Sequence, residues 1–139
     1  MVEAKLKWVG GRRFEGVSTW GFPIATDISK NSGGAESGYR PTELLMFALA
    51  GCTGVDVVNI LEKMRQKITG VEVTVTGQQP ESFPKPFNHI EVKYLFRGEN
   101  LDREKVRQAV ELSEGKYCSV SQTLAGVAKI VSTIEIVEE

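Results

Sequence analysis

Short stretches of alternating apolar and polar residues occur in the first and the last part of the chain, and one long apolar segment lies between them. The first part contains three short alternating stretches, which predict strands joined as a meander or as hairpins. The glycines Gly10, Gly11 and Gly21 separate these stretches and mark the turns between them. Residues 31–38 are rich in Gly and Ser and predict a mobile surface loop. The three predicted strands are residues 5–8, 12–20 and 23–29.

The apolar segment predicts one long helix, which we expect to begin near Pro41 and to end near Lys67. Proline suits the first position of a helix, and Glu43 suits its positive end. Residues 44–52 are apolar almost all the way round the helix, whereas residues 59–67 have a charged outer face. One small sheet cannot easily cover such a helix on every side. We therefore expect a second subunit to cover it, so that the protein is a homodimer.

The second half of the chain predicts a long hairpin, two helices and a closing strand. Asp102 suits the cap of the first of these helices. The order of elements is not the regular alternation of a doubly wound sheet, so we expect an α+β fold. A length of 139 residues fits one domain spanning residues 1–139. The predicted elements are strands at 71–77 and 89–96, helices at 103–113 and 117–128, and a strand at 129–137.

Composition and charge narrow the class of protein. Hydrophobic residues make up 41% and charged residues 25%, as in ordinary globular proteins. The net charge of −1 leaves no basic excess to neutralise phosphates, so we expect no nucleic-acid partner. The first residues lack the pattern of a signal peptide. The longest uninterrupted apolar run, residues 44–52, is much shorter than the roughly 20 residues that span a bilayer. We expect a cytoplasmic protein without a membrane partner.

The two cysteines, Cys52 and Cys118, are the main candidates for chemistry. A structural disulfide is a poor explanation in a protein without an export signal, because cytosolic reductants keep thiols reduced. Gly51 and Gly54 flank Cys52 inside a predicted helix, where each glycine costs about 1 kcal/mol, and this suggests close approach of backbone or ligand. Cys118 lies at a predicted helix start, where free amides favour a thiolate. The alternative is that both are buried structural cysteines.

A reactive thiolate needs a nearby cation, because an ordinary thiol is mostly protonated at neutral pH. Arg12, Arg13 and Arg40 lie in or beside glycine-rich segments and are the candidates. Glu43 lies nine residues before Cys52, roughly 13 Å along a helix, so it cannot touch the thiol directly. It can instead hold an arginine that faces the thiolate. The alternative for each of these residues is an ordinary surface charge.

Motifs for other kinds of chemistry are not found. His89 is the only histidine and receives no role. The spacing of the two cysteines and this histidine does not match known zinc sites, so we expect no metal. The chain has no phosphate-binding glycine motif and no serine-hydrolase elbow, so we expect no cofactor.

Two segments resemble the OsmC/Ohr family, the osmotically inducible protein C and organic hydroperoxide resistance group. The first runs from Arg40-Pro41-Thr42-Glu43-Leu44-Leu45 to Ala48-Leu49-Ala50-Gly51-Cys52, and the second is Tyr117-Cys118-Ser119-Val120-Ser121. The order of strands and helices extends the resemblance over nearly the whole chain. It implies an intertwined α+β homodimer with mainly antiparallel sheets around two long central helices that carry the first cysteine.

The resemblance also implies a cysteine-based peroxidase. Cys52 would attack an organic hydroperoxide, and its sulfenic acid would condense with Cys118 to a disulfide. A dithiol reductant would then restore the thiols. Arg12 resembles the arginine that the family places near the first cysteine, and Arg40 is the local alternative.

One position departs from the peroxidatic members. They hold the arginine with a glutamate ten residues before the first cysteine, a position that is Thr42 here, and Glu43 follows it. The pattern is closer to the OsmC-like branch, whose substrates are less well defined. The alternatives to a peroxidase are a ligand-binding or redox-sensing dimer without enzymatic activity, and an interaction protein with two core cysteines.

Overall fold

The computed structural model describes every residue from Met1 to Glu139 and contains six strands and three α-helices. The predicted α+β class and the order of elements are confirmed. The chain divides into two compact units, residues 1–45 and 46–139. The elements are β1 Lys7–Trp8, β2 Phe14–Val17, β3 Pro23–Thr26, α1 Pro41–Lys63, β4 Lys67–Gln78, β5 His89–Glu99, α2 Arg103–Leu112, α3 Ser119–Leu124 and β6 Lys129–Glu138.

The first unit holds a three-stranded antiparallel sheet in the order β1-β2-β3. The predicted glycine turns join its strands. Gly10, Gly11 and Gly21 all have positive φ, a conformation that glycine adopts more readily than any other residue. The strands are shorter than the alternating stretches, because the hairpin turns take up the residues at their ends.

The segment predicted as a mobile loop is tied to Asp27, which is 2% exposed. The Asp27 carboxylate accepts hydrogen bonds from the backbone amides of Ile28, Ala35 and Ser37 at 2.7, 3.2 and 3.1 Å. The Ser37 hydroxyl donates a fourth at 2.6 Å. These donors, with the Ser37 hydroxyl as the largest contributor, lower the pKa of Asp27 to about 2. The carboxylate therefore organises the loop as an ionised acceptor.

Helix α1 begins at Pro41, as the sequence predicts. The Glu43 side chain accepts a hydrogen bond from the Arg40 amide at 2.9 Å and so satisfies one free donor at the helix start. The helix ends at Lys63, four residues before the predicted end. Arg65 adopts a left-handed conformation with φ of 60°, which turns the chain directly into β4.

The second sheet has the order β4-β5-β6. Strands β4 and β5 form the predicted long hairpin, with antiparallel register from Lys67 opposite Glu99 to Gln78 opposite His89. Strand β6 pairs with β5 in parallel, so this sheet is mixed. The connection between them contains α2 and α3 and returns the chain to the same end of the sheet, which is what a parallel neighbour requires.

The two helices of this connection differ in how well their ends were predicted. The Asp102 carboxylate caps α2 by accepting from the amides of Glu104 and Lys105, as expected. A wider π-helical turn, Ser113–Tyr117, follows α2, and α3 is limited to Ser119–Leu124. The predicted helix at 117–128 therefore starts later and ends earlier.

The hydrophobic core of the second unit lies between α1, α2 and one face of β5. Alternate residues of β5 point into it, as expected for a strand with one buried face. Burying each large side chain contributes about 1.5–3 kcal/mol. The fully or almost fully buried side chains are Leu49, Val57 and Leu61 of α1, Ile90, Val92, Tyr94 and Phe96 of β5, and Val106, Ala109 and Val110 of α2.

Only one face of α1 is buried within the chain. The buried positions Leu49, Thr53, Val57 and Leu61 are spaced by four residues, whereas Val55 is 61% exposed. By length and composition alone, α1 is also apolar enough to cross a membrane, unlike the nine-residue run considered above. Core helices of soluble proteins have the same property.

Candidate functional site

The two cysteines meet in the second unit. Cys52 lies on α1 and Cys118 immediately precedes α3. Their Sγ atoms and a carboxylate oxygen of Asp56 all lie within 4.8 Å of one another. Both cysteines are free thiols. Asp56 follows Cys52 by four residues, so helical geometry places the two side chains on the same face of α1.

The π-helical turn places Cys118 beside α1. The Cys118 amide donates to the Ser113 carbonyl at 2.7 Å, which closes this wider turn. The Cys118 Sγ then accepts from the Ser121 amide at 3.3 Å and caps α3. Cys118 is fully buried, whereas Cys52 is half-buried. The turn thus brings a buried sulfur to a more accessible one.

Cys118 is held as a neutral thiol. Burial is the main cause that raises its pKa from the ordinary value of 9.0 to about 11, and the hydrogen bond and charge of Cys52 add to it. The amide contact at the start of α3 acts in the opposite direction. Cys118 does lie at a helix start, as the N-cap of α3, but the expectation that this position favours a thiolate is wrong, because burial outweighs the amide contact.

A buried chain of hydroxyl groups adjoins the cysteines. The Thr53 hydroxyl lies 2.7 Å from the Tyr94 hydroxyl and 2.8 Å from the Ser113 hydroxyl. The Ser113 hydroxyl is hydrogen-bonded to Asp56 Oδ2 at 2.9 Å. The Tyr94 hydroxyl is hydrogen-bonded to Glu114 Oε1 at 2.8 Å. We name this row of five side chains the hydroxyl chain. Its two ends are the half-buried carboxyl groups of Asp56 and Glu114, and its members are Asp56, Ser113, Thr53, Tyr94 and Glu114.

The Glu114 end of the hydroxyl chain is fixed by further contacts. The exposed Ser132 hydroxyl donates to Glu114 Oε2 at 3.1 Å. The Gln122 side chain and the Ser121 hydroxyl donate to the Glu114 carbonyl oxygen at 2.8 and 3.3 Å. Burial raises the pKa of Tyr94, so its phenol stays protonated at ordinary pH. This end therefore reaches solvent at Ser132.

The sequence analysis missed all five members of the hydroxyl chain. Asp56 had a signal, its helical spacing from Cys52, which was not used. Ser113, Tyr94 and Glu114 come from other elements and carry no local signal, since only packing brings them to Thr53.

The predicted arginine and glutamate candidates lie in the first unit. The Arg40 guanidinium pairs with Glu43 at 3.4 Å. The Arg40 amide, and to a smaller extent its guanidinium, hold the pKa of Glu43 below its ordinary range. Arg12 is exposed and donates to the Gly11 carbonyl at 3.1 Å, and Arg13 pairs with Glu15 at 2.7 Å. The structure thus joins Arg40 to Glu43 and leaves Arg12 with a backbone contact.

The glycines beside Cys52 face different surroundings. A Cβ added at Gly51 would meet nothing within 4 Å, and one at Gly54 would lie at ordinary contact distance, 3.8 Å, from Val73. The close approach expected at Gly51 does not occur within the chain. Gly51 and Gly54 instead line an open apolar groove with Phe47, Val55, Val71 and Val73.

The two sulfurs and Asp56 are close enough to be compared with a metal site. A metal-bound thiol must be deprotonated. The raised pKa of Cys118 opposes this loss of a proton, and a bound cation would lower that pKa again. We base the proposal below on the two free thiols and the carboxyl group beside them.

Comparisons with known proteins agree with this geometry. The family model described as OsmC-like protein matches residues 33–133. Protein YhfA of Escherichia coli K12 is 38% identical over 136 residues, which cover 98% of each chain. A hypothetical protein from Aquifex aeolicus has 29% identity and a TM-score of 0.88, covering 100% of this chain and 98% of its own. The organic hydroperoxide resistance protein OhrB of Bacillus subtilis shares the fold at 22% identity, a TM-score of 0.62 and coverage of 97% and 98%. The chain therefore belongs to the OsmC/Ohr family, in its OsmC-like branch.

Proposed function

We propose that this protein is a cytoplasmic thiol peroxidase that reduces organic hydroperoxides, with Cys52 as the attacking and Cys118 as the resolving cysteine. The observation that carries the proposal is the meeting of both sulfurs and a carboxyl group within 4.8 Å. The name of the Bacillus subtilis relative points to the same substrate class. Two free thiols this close suit a reducing compartment, where they remain available for a catalytic cycle.

Cys52 takes the first step. Its thiolate attacks one peroxide oxygen, so that an S–O bond forms as the O–O bond breaks, and the leaving alkoxide takes up a proton to become an alcohol. The product is the Cys52 sulfenic acid. Cys52 suits this step because it is half-buried and can be reached, whereas Cys118 is fully buried.

Cys118 completes the cycle. Its sulfur attacks the Cys52 sulfenic acid, so that the S–S bond forms, the S–O bond breaks and water leaves. A dithiol then reduces the disulfide by exchange. The burial that raises the pKa of Cys118 favours loss of its proton during the attack rather than before it.

An arginine would stabilise the thiolate and the peroxide oxygen that accepts charge. We propose Arg40 for this task, because Glu43 orients its guanidinium, and we retain Arg12 as the alternative. Arg40→Ala is then expected to lower kcat/KM by on the order of 10²-fold. The same substitution at Arg12 serves as the matched comparison in peroxide-consumption assays.

We propose that the protein acts as a homodimer. The apolar groove on α1 supports this, because its lining includes side chains as exposed as Val55, at 61%. Val55→Asp is expected to shift the protein from dimer to monomer in light scattering. Val127→Asp, at a site 66% exposed outside the groove, is the control. A wild-type monomer at micromolar concentration would overturn the dimer.

The peroxidase is tested by consumption of cumene hydroperoxide with dihydrolipoamide as the reductant. We expect turnover by wild type, no turnover by Cys52→Ser, and a sulfenic acid that dimedone traps in Cys118→Ser. If the wild-type protein shows no turnover and Cys52 resists sulfenic-acid labelling, the proposal fails.

A second candidate is a redox-sensing or ligand-binding dimer, which Thr42 favours because it occupies the position of the family's glutamate. This candidate predicts that hydroperoxide forms the Cys52–Cys118 disulfide once, without sustained turnover under excess dithiol.

A further inference from the structure

The hydroxyl chain has more hydrogen-bonding contacts than protons. Its four contacts join Asp56 to Ser113, Ser113 to Thr53, Thr53 to Tyr94, and Tyr94 to Glu114, at 2.7 to 2.9 Å. Its three hydroxyl groups carry three protons, and each hydroxyl donates one hydrogen bond. One contact is therefore left without a proton if both carboxyl groups are ionised.

The unprotonated contact would lie in the buried centre of the hydroxyl chain. With both carboxyl groups ionised, Ser113 donates to Asp56 and Tyr94 donates to Glu114. Thr53 can then donate to only one of its two neighbours, and the other pair of oxygens would meet lone pair to lone pair. Thr53 and Ser113 are 0% exposed and Tyr94 is 2% exposed, so water is not at hand to relieve this contact.

One additional proton removes the conflict. If Asp56 is protonated, it donates to Ser113, Ser113 to Thr53, Thr53 to Tyr94, and Tyr94 to an ionised Glu114. Every contact then has a proton. The mirror arrangement, with the proton on Glu114, also satisfies all four contacts, so the proton can reside at either end when the hydroxyls reverse direction.

The charges around the two ends are compatible with this additional proton. Asp56 faces the thiols of Cys52 and Cys118 and the Ser113 hydroxyl. The Glu114 carboxyl group faces the hydroxyls of Tyr94 and Ser132. Neither carboxyl group takes part in any of the ion pairs of the protein, so no adjacent cation holds it ionised.

We propose that Asp56, Ser113, Thr53, Tyr94 and Glu114 share one proton more than their hydroxyls carry, and that Asp56 passes it to the reacting cysteine pair. The claim of a shared proton stands on the hydrogen-bond geometry alone. The claim that Asp56 passes this proton to the cysteines rests on the proposed peroxidase. Asp56 is thereby a catalytic residue outside the predicted arginine and glutamate set.

The chemical step is the formation of the disulfide. Asp56 gives its proton to the oxygen that leaves Cys52, so that the S–O bond breaks and water departs. The Cys118 thiol transfers its own proton to Asp56 as its sulfur forms the S–S bond. The Cys52 sulfur is reduced, the Cys118 sulfur is oxidised, and Asp56 ends protonated as it began. The step takes no net proton from the hydroxyl chain, whose role is to hold the shared proton so that it can reside on Asp56 when the step begins.

Infrared spectroscopy of the reduced protein at neutral pH tests the shared proton without any peroxide. We expect the C=O stretch of a hydrogen-bonded carboxylic acid in wild type, shifted by ¹³C-labelled aspartate and glutamate. Thr53→Val should abolish this band, because the two remaining contacts, Ser113 to Asp56 and Tyr94 to Glu114, then each have a proton. Thr53→Ser keeps the hydroxyl and should keep the band.

Acid–base titration supplies a second readout. Wild type should hold one proton more than Thr53→Val at neutral pH, and Ser132→Ala, outside the hydroxyl chain, should match wild type. Absence of the band in wild type, or an undiminished band in Thr53→Val, would overturn the shared proton.

Single-turnover kinetics test the transfer of the proton from Asp56 to the cysteine pair. After one equivalent of cumene hydroperoxide, Asp56→Asn should form the sulfenic acid normally but close the disulfide on the order of 10²-fold more slowly than wild type. Thr53→Val should be slowed as well, and Thr53→Ser should not. Unchanged closure in Asp56→Asn would overturn this role. Failure of wild type to react with hydroperoxide would instead refute the peroxidase and leave the infrared result standing.

Discussion

Two parts of the molecule enclose carboxyl groups in contrasting ways. In the first unit, Asp27 accepts from three backbone amides and one hydroxyl, and each donor brings its own proton. In the second unit, Asp56 and Glu114 terminate a row of hydroxyls that are donors and acceptors at once.

The difference separates a structural carboxylate from an exchangeable one. The Ser37 hydroxyl, as the largest contributor, and the three amides all donate to Asp27, so they favour its ionised form and lower its pKa to about 2. Hydroxyls can rotate and reverse direction, so the same kind of carboxyl group beside Cys52 can gain or lose a proton while its contacts persist. Donors that all serve one carboxylate suit a loop anchor, and hydroxyls that can reverse between two carboxyl groups suit proton transfer.

The strongest test of the anchor is Asp27→Asn. The amide oxygen can still accept from Ala35 and Ser37, but the amino group would then face the Ile28 amide, donor to donor. Because this contact is lost together with the negative charge, we expect the midpoint of thermal unfolding to fall by on the order of 10 °C. The exposed Glu36→Gln in the same loop is the control and should differ little from wild type. If the two variants melt together, Asp27 does not organise the loop.

The stabilising effect of the ionised Asp27 carboxylate should also be visible in the pH dependence of unfolding at acid pH. Because the pKa of Asp27 is lowered from 3.8 to about 2 in the folded protein, its stabilisation is complete above pH 3.8 and is lost as pH falls through about 2. Urea unfolding between pH 5 and 2 should show this loss, and Asp27→Asn should reduce it.

Alkaline pH should reveal the contribution of the Cys118 thiol, in the second unit, to stability. Between pH 9.0 and about 11 the unfolded chain releases the Cys118 proton while the folded protein retains it, so stability falls as pH rises. The loss should be roughly 2 kcal/mol. Urea unfolding with dithiothreitol at pH 8 to 10.5 measures it, and Cys118→Ser should remove that part of the slope. An identical slope in both proteins would contradict the assignment.

Tyr94→Phe should have a smaller effect. It removes the hydroxyl between Thr53 and Glu114 while keeping the ring, and we expect a loss of about 1 kcal/mol in the free energy of unfolding. The two remaining contacts, Asp56 to Ser113 and Ser113 to Thr53, would then each have a hydroxyl proton. No shared proton is needed, so the infrared band of the carboxylic acid should disappear. Tyr117→Phe, at a site 53% exposed, is the matched control.

Ser132→Ala should have the smallest effect. Its hydroxyl is exposed and contacts only the outer oxygen of Glu114, so the free energy of unfolding should change by less than about 0.5 kcal/mol. The infrared band should remain. A large loss of stability would mean that Ser132 belongs to the hydroxyl chain.

Local chemistry explains what the sequence could predict of the fold. Pro41, Asp102 and the glycine turns act on their immediate neighbours, so the starts of α1 and α2 and the breaks of the first sheet were predictable. The parallel pairing of β6 was not, because alternation indicates which face of a strand is buried and not its direction.

The same distinction applies to the site. Cys52 and Cys118 stand in recognisable motifs, and Glu43 binds Arg40 only three residues away. Tyr94, by contrast, reaches Thr53 across 41 positions of sequence, and its contact depends on the packing of β5 against α1. The two cysteines and the Arg40–Glu43 pair could therefore be picked out from their own surroundings, while the residues of the hydroxyl chain could not.

The positions of Cys52 and Cys118 along the chain have a consequence for the energetics of oxidation. A disulfide between them would close a covalent ring of 118 − 52 = 66 residue steps around β4, β5 and α2. In the chain-entropy model, such a ring lowers the entropy of the unfolded ensemble and stabilises the folded protein by about 4 kcal/mol. Oxidation to the disulfide would therefore also raise the free energy of unfolding. A thermal melting curve would then report the redox state of the two thiols.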